Sequence, residues 1–355
     1  MRWLYVPNEN AEGDQVGPRM AFEKLYKEGV FSAYSAYSYL VRGKQATGHQ
    51  VALNEFIENA SAFAPDVIFI QHPSNGYPMD KSFLQQLKDI QSKPKLVLYE
   101  EDPYGHFVKR MDSTLKAVFA ETDMCFISGT GYYAEMARVA GAKKIRHANH
   151  SYDSQRFGTH WVPPLARSYD AVMIANLPCI KRIPWLFMPG GRSRKKTARL
   201  LHGQLGERFA LYGAGQGWKG EPYCKGKIAF DQQGEAIRDA WMSVNWGQFD
   251  EIPMYSSDRL PISLACGVPH ITNYQPGYEY IFDRVPGLFA VKSPQEALDV
   301  ALYILSLTVE RRNELGFQAA EYARQHLEAT VVYSDIVSVV QEQLFGVIRQ
   351  KVIAV

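Results

Sequence analysis

Short apolar runs, each about the length of one strand, alternate along this chain with stretches of helical spacing, and that alternation restricts it to an α/β architecture of βαβ units. Trp3–Val6, Asp66–Gln71 (DVIFIQ), Lys95–Tyr99 (KLVLY), Met124–Ser128 (MCFIS) and the short Lys143–His147 read as strands of a first set. Between them, Pro18 to about Glu28 predicts a helix, proline suiting a first helical turn. Lys81–Gln91 sets Phe83, Leu84, Leu87 and Ile90 at three-to-four spacing, and Gly131–Ala140 predicts a further helix. A second set follows, with strands at Asp170–Ala175 (DAVMIA), Phe209–Tyr212, Ser243–Trp246 and Pro269–Thr272. The stretch 295–350 is helical, with Leu298, Leu302 and Leu305 on one stripe. No repeat of fixed period is visible.

At 355 residues the chain exceeds what one hydrophobic core organises, so two domains are expected. A polar, aromatic and proline-rich stretch, His150–Ala166, predicts the hinge. The expected architecture is two Rossmann-like, doubly wound domains facing a central cleft: 1–158, 159–335, and a last helix, 336–355, packing back toward the first. A formal net charge of +2 and a pI near 8.2 exclude the overall basic excess of a dedicated nucleic-acid binder, though not a local basic patch. Cys125, Cys179, Cys224 and Cys266 form no C-x-x-C pair and have no histidines at zinc spacing. Free thiols in a reducing compartment are expected. The start MRWLYVPNENAEGD lacks the pattern of a signal peptide, and no apolar run approaches the ~20 residues of a membrane span. Together these predict a cytoplasmic protein.

Ligands of open α/β sheets bind beyond the carboxyl ends of strands, so the loops there carry the functional signal. Pro189–Ala198 (PGGRSRKKTA) leads into a predicted helix, Thr197–Leu205. Its glycines allow close backbone approach, and Arg192, Arg194, Lys195 and Lys196 with a helix start suit a diphosphate. The same run also reads as a solvated basic loop, or as a face for an anionic polymer such as DNA. Leu211–Trp218 (LYGAGQGW) puts Gly213 and Gly215 after a strand, fitting either a nucleotide or a tight turn, without the spacing of a dinucleotide or Walker fingerprint. In Met254–Gly277, Ser256, Ser257 and Arg259 open a small-residue helix, again suited to phosphate, while Gly267 suits a helix C-cap. In the first set, the loop Asn8–Arg19, Gln71-His72-Pro73 and Tyr99–Pro103 with His106 gather at strand ends. Asp102 and His106 are the candidates for proton transfer or charge stabilisation, with Asn8, Arg19 and His72 on an acceptor side. Glu100–Asp102 read equally as caps of a following turn.

Taken in order, ETDMCFISGTGYYAEMARVAGAKKI, HSYDSQRF, DAVMIAN, FALYGAGQGW and DRLPISLACGVPHITNYQPGYEYIF resemble the spore-maturation CgeB-like glycosyltransferases, a branch of the retaining GT-B enzymes. The likeness is best over 120–330 and extends to the tail TVERRNELGFQAAEYARQHLEATVVYSDIVSVV; APDVIFIQ and LVLYEEDP match loosely. The resemblance implies a metal-independent enzyme without a cofactor. Its nucleotide-sugar site would lie mostly on the C-terminal domain and its acceptor site mostly on the N-terminal one. Gly213 and Gly215 would lie near the nucleotide, Arg192 or Arg194 and Arg259 on the diphosphate, and Asp102 on the catalytic side. One departure stands out. Many retaining relatives hold the ribose with a glutamate just before the "A-C-G" segment, but Ile262 occupies that place here, and the upstream acidic position falls near Met254. Either those contacts come from elsewhere, with Asp258 a candidate, or the donor differs from the common ones. The expected activity is sugar transfer, with retention, to a hydroxyl of a polysaccharide, protein, small molecule or hydroxymethylated DNA base, the last requiring a flipped nucleotide. A sugar-nucleotide epimerase and a non-catalytic binding protein are the alternatives.

Overall fold

The structure, a computed structural model, describes residues 1–45, 48–158, 163, 165–180, 183 and 185–347. Two compact units emerge: Met1–Asn149 joined by Ala329–Val355, and His150–Glu328. The expected boundary at 158/159, part of the expected hinge and the end of the last helix lie outside the described residues. The units divide at Asn149–His150 and again at Glu328–Ala329, so the last helix joins the first unit as a whole rather than from 336.

The first unit runs β1 (Arg2–Val6), α1 (Val16–Lys27), β2 (Ala33–Ala36), α2 (Tyr39–Gln45), α3 (His49–Phe63), β3 (Val67–Gln71), α4 (Lys81–Asp89), β4 (Lys95–Glu100), α5 (Ser113–Glu121), β5 (Met124–Ile127), α6 (Tyr132–Val139) and β6 (Ile145–His147). Its six strands are parallel in the order β2-β1-β3-β4-β5-β6. Every residue of β3 and β5 is buried, as parallel strands covered on both faces require. Asp80 and Asp112 start α4 and α5 by accepting the amides of Phe83 and Leu115, each at 2.8 Å. β2 carries no apolar run: Ala-Tyr-Ser-Ala forms a half-buried edge strand, which is why no periodicity announces it.

In the second unit come β7 (Tyr169–Ile174), α7 (Gly191–Leu205), β8 (Phe209–Tyr212), α8 (Gln233–Arg238), β9 (Ala240–Asn245), α9 (Arg259–Ala265), β10 (His270–Asn273), α10 (Tyr278–Ile281), β11 (Leu288–Val291), α11 (Pro294–Ser306) and α12 (Val309–His326). The sheet is parallel in the order β11-β10-β9-β7-β8. Val172 and Ile174 of β7 pack into a core with Leu260 and Phe157, while Ala171 and Met173 pack into another with Leu201 and Leu211. That split is the two-residue period of a strand buried on both faces. Gly267, at φ +69°, follows α9 as its C-cap signal predicts.

α13 (Ala329–Phe345) returns to the first unit and packs along α1. Its Tyr333 meets Phe22 and Tyr99 edge-on, at 5.4 and 5.9 Å between ring centroids, inside an aromatic core with Trp3, Tyr5 and Phe69. Among the described residues no helix is long and apolar enough to cross a membrane.

Candidate functional site

The loops that leave β7, β8 and β9, and the start of α9, meet at the carboxyl edge of the second unit's sheet. α7 begins at Gly191 rather than at the expected Thr197, so the basic run lies inside its first turns. Helical geometry therefore separates the arginines: residues two apart point to different faces. Arg192 is exposed, whereas Arg194 is 5% exposed. The Nε of Arg194 donates to the Trp246 carbonyl at 2.6 Å, and its Nη1 donates to the Asn176 carbonyl, tying the exits of β9 and β7 together. Burial, with the Arg259 charge behind it, pulls Arg194 down to about 9.

Arg259, at the start of α9, donates from Nε to the Ile174 carbonyl at 3.1 Å and from Nη1 to Asp258 at 2.5 Å. Ser257 accepts from Asn245 Nδ2 at 3.0 Å, and Ser256 is buried beside it. Asn176 Oδ1 accepts the Ala214 amide at 2.8 Å. The amides of Arg192 and Ser193 make no backbone hydrogen bond among the described residues, as the first turn of a helix leaves them. Met254 takes the left-handed conformation, φ +62°, a strain that concentrates at functional sites. Ile262, in the place of the ribose-binding glutamate, is buried in the core.

Gly213 and Gly215 are required by chain packing. A Cβ on Gly213 would lie 2.0 Å from the Ala175 carbonyl oxygen, and one on Gly215, at φ +113°, 2.4 Å from that of Leu177. Gly213→Ala is therefore expected to lose about 3 kcal/mol or more of stability, read by urea unfolding, because a backbone atom must yield.

A second group of polar side chains sits at the carboxyl edge of the first unit's sheet. The Glu9 side chain is fully buried, and its carboxylate accepts from Arg19 Nη2 at 2.5 Å, from Arg19 Nε at 3.1 Å and from Ser38. Burial opposes its ionisation, but the hydrogen bonds from Arg19 and Ser38 outweigh burial and hold the carboxyl below its ordinary range. Asn8 Nδ2 donates to the His72 carbonyl at 2.8 Å. His72, at φ +40°, lies 2.5 Å through Nδ1 from the buried Glu100 carboxylate. Burial pulls this imidazole down, yet the Glu100 charge and hydrogen bond prevail and set it at about 9.

Glu100 Oε1 also accepts the Asp102 amide at 3.0 Å, which is the capping role weighed for this acidic run. Asp102 pairs with Lys109 Nζ at 2.6 Å, and exposed His106 rests beside the Tyr132 ring at 5.6 Å. The fold thus brings Asn8, Arg19 and His72 to one sheet edge, with Asp102 on the loop after β4. Glu9 and the His72–Glu100 pair were not singled out by the sequence reading. The available signal was their placement at the carboxyl ends of β1, β3 and β4, which are neighbours in the sheet: Glu9 on the loop after β1, His72 directly after β3 and Glu100 as the last residue of β4.

Residues 192–338 match the family described as "Glycosyl transferase-like". No curated protein sequence matches the chain. Among solved structures, Anabaena HepE in complex with UDP is similar at 12% identity and TM-score 0.60, covering 96% of this chain and 100% of its own. Sucrose-phosphate synthase from Thermosynechococcus elongatus aligns at 13% identity and TM-score 0.56, over 98% and 100% of the two chains. A UDP-N-acetylglucosamine 2-epimerase candidate from Listeria monocytogenes aligns at 11% identity and TM-score 0.53, over 98% and 97%. The fold is GT-B. Two parallel sheets, one in each unit, fit that fold.

Proposed function

We propose that this chain is a glycosyltransferase moving a sugar from a nucleoside-diphosphate sugar to an acceptor hydroxyl. The observation that carries the reading is the meeting of Arg259, Arg194 and the start of α7 at one strand edge, within the stretch that matches a glycosyltransferase-like family. Arg192, Arg259 and the free amides of α7 receive the two phosphates; Arg194 is a positioning residue, held to the backbone. Ser256 and Ser257 support the loop, and Ser257 and Asp258 offer oxygens to ribose in place of the missing glutamate. As the bond between the anomeric carbon and the phosphate oxygen breaks, charge grows on the leaving diphosphate, and guanidinium and amide groups meet it without a metal.

The acceptor oxygen bonds to the anomeric carbon and its proton passes to a carboxylate, for which Asp102 is our candidate, with His106 on the same loop. Asn8, Arg19 and His72 bind the acceptor. Retention of configuration follows the CgeB-like branch that the sequence resembles. Anabaena HepE holds UDP-glucose in a solved complex of this fold, which makes UDP-glucose the first donor to test.

The test is product analysis with a panel of nucleotide sugars and acceptors that includes a neutral glycan, a small polyol and hydroxymethylated duplex DNA. Nucleoside diphosphate released only with an acceptor, in step with a glycosylated product, is the expected result. A rearranged donor without acceptor would instead make the chain an epimerase, and ligand binding with no turnover would make it a binding protein.

A further inference from the structure

The first unit's sheet ends at β6, and beside that edge strand lies a cavity of about 390 Å³ walled by α6. Its volume falls within the roughly 300–1,000 Å³ of small-ligand sites. Ala134, Glu135 and Arg138 line it at three-to-four spacing, so their side chains share one face of α6. From the strand come Ile145 and His147, which point to one face of β6. Arg146 borders the cavity too, but its side chain is spent elsewhere. Its Nη1 donates to the Ile145 carbonyl at 3.1 Å, and its Nη2 donates to Gln343 Oε1 of α13 at 2.8 Å.

The charge on the α6 wall is left unused by the fold. Arg138 and Glu135 are exposed, and neither side chain forms a hydrogen bond or an ion pair among the described residues. Glu135 is the only carboxylate among the lining residues. Lys143 and Lys144, on the turn joining α6 to β6, add positive charge at the Arg138 end; Lys144 Nζ donates to the neutral Gln343 carbonyl at 3.0 Å. At the other end, His147 closes β6 and the half-buried Tyr132 opens α6 after β5. The cavity therefore reaches the same carboxyl sheet edge as His72 and Asp102, and the Tyr132 ring is the one beside His106.

We propose that this cavity takes the carboxylate or phosphate of an acidic acceptor, with Arg138 as its main partner. A guanidinium fork presents parallel N–H donors to either group, and no internal carboxylate has to leave Arg138 first. Glu135, one turn away on the same face, repels the incoming charge and limits the affinity. The acceptor role rests on the transferase reading, whereas binding of the anionic group is measurable without it.

The test is calorimetric titration of the full chain, without donor, with glucose, glucuronate and glucose 6-phosphate, which differ only at C6. We expect at least one charged sugar to bind about tenfold or more tighter than glucose. R138A brings the charged sugars to the affinity of glucose, while E135Q tightens them about twofold. Both positions are exposed and without side-chain partners, so both variants should fold as the wild type does. A preference for glucuronate identifies a carboxylate on the acceptor, and a preference for glucose 6-phosphate identifies a phosphate. The donor-edge variant R192A/R259A keeps this binding. Glucose bound as tightly as both charged sugars, unchanged affinity in R138A, or loss in R192A/R259A overturns the proposal. UDP titrated into the same wild-type sample separates the two claims: UDP binding without charged-sugar binding overturns this inference alone, and the reverse keeps the anion cavity and removes the transferase reading.

Discussion

Arg259→Ala is expected to lower turnover with the active nucleotide sugar by about 100- to 1,000-fold. The side chain is 28% exposed, so a ligand has access to it, and its Nε bond to the Ile174 carbonyl sets its position at the end of β7. A guanidinium placed there gains most when charge accumulates on the departing diphosphate. The loss should therefore fall mainly on kcat, with a smaller change in KM. Arg259→Lys keeps the charge but not the fork and should recover only part of the rate. Steady-state kinetics with a fixed acceptor measures both, and wild-type kcat in Arg259→Ala would remove this residue from the transition state. Arg194→Met is expected to act differently: the carbonyls of Trp246 and Asn176 lose their donor, so stability falls along with activity.

His72→Ala should cost about 3–5 kcal/mol of stability at neutral pH, because it leaves the wholly buried Glu100 carboxylate without its cation. The sign with pH follows from the raised imidazole. His72 is protonated up to about 9 in the folded chain and to about 6.5 when unfolded, so its contribution is complete below pH 6.5 and is lost as pH rises through 9. Burial raises Glu100 in the same sense, favouring the proton-bound pair. Wild-type stability should therefore decline between pH 6.5 and 9, and the gap to His72→Ala should close over that range. Urea unfolding of both proteins at pH 6, 7.5 and 9 reads this directly. A constant gap would mean that the proton is not held between these two groups.

Much of the fold was legible because parallel strands buried on both faces must be apolar throughout. DVIFIQ, KLVLY and MCFIS announced β3, β4 and β5 within a residue or so, and DAVMIA announced β7. The half-buried edge strand β2, Ala-Tyr-Ser-Ala, carries no such signature, and β11, though apolar, is only four residues long. The start of α7 was misread for a physical reason: Gly-Gly-Arg-Ser-Arg-Lys-Lys has the polarity of a loop, and only packing of Arg194, Thr197, Ala198 and Leu201 against the sheet makes it helical from Gly191.

The candidate site was legible as segments but not as pairs. Arg19 and Glu9 meet through the start of α1, and His72 and Glu100 meet because β3 and β4 are neighbours; neither spacing, 10 or 28 residues, announces contact. The roles of Gly213 and Gly215 depend on a neighbouring backbone that the local sequence does not contain.

The central claim is that a diphosphate is gripped where α7 and α9 begin, and the most direct measurement is an equilibrium titration of UDP into the wild type and R192A/R259A. The account predicts saturable binding to the wild type and at least a 100-fold weaker constant for the double variant, with both proteins folded by circular dichroism. Equal affinity in the two, or binding that survives while turnover is absent with every acceptor, would contradict it.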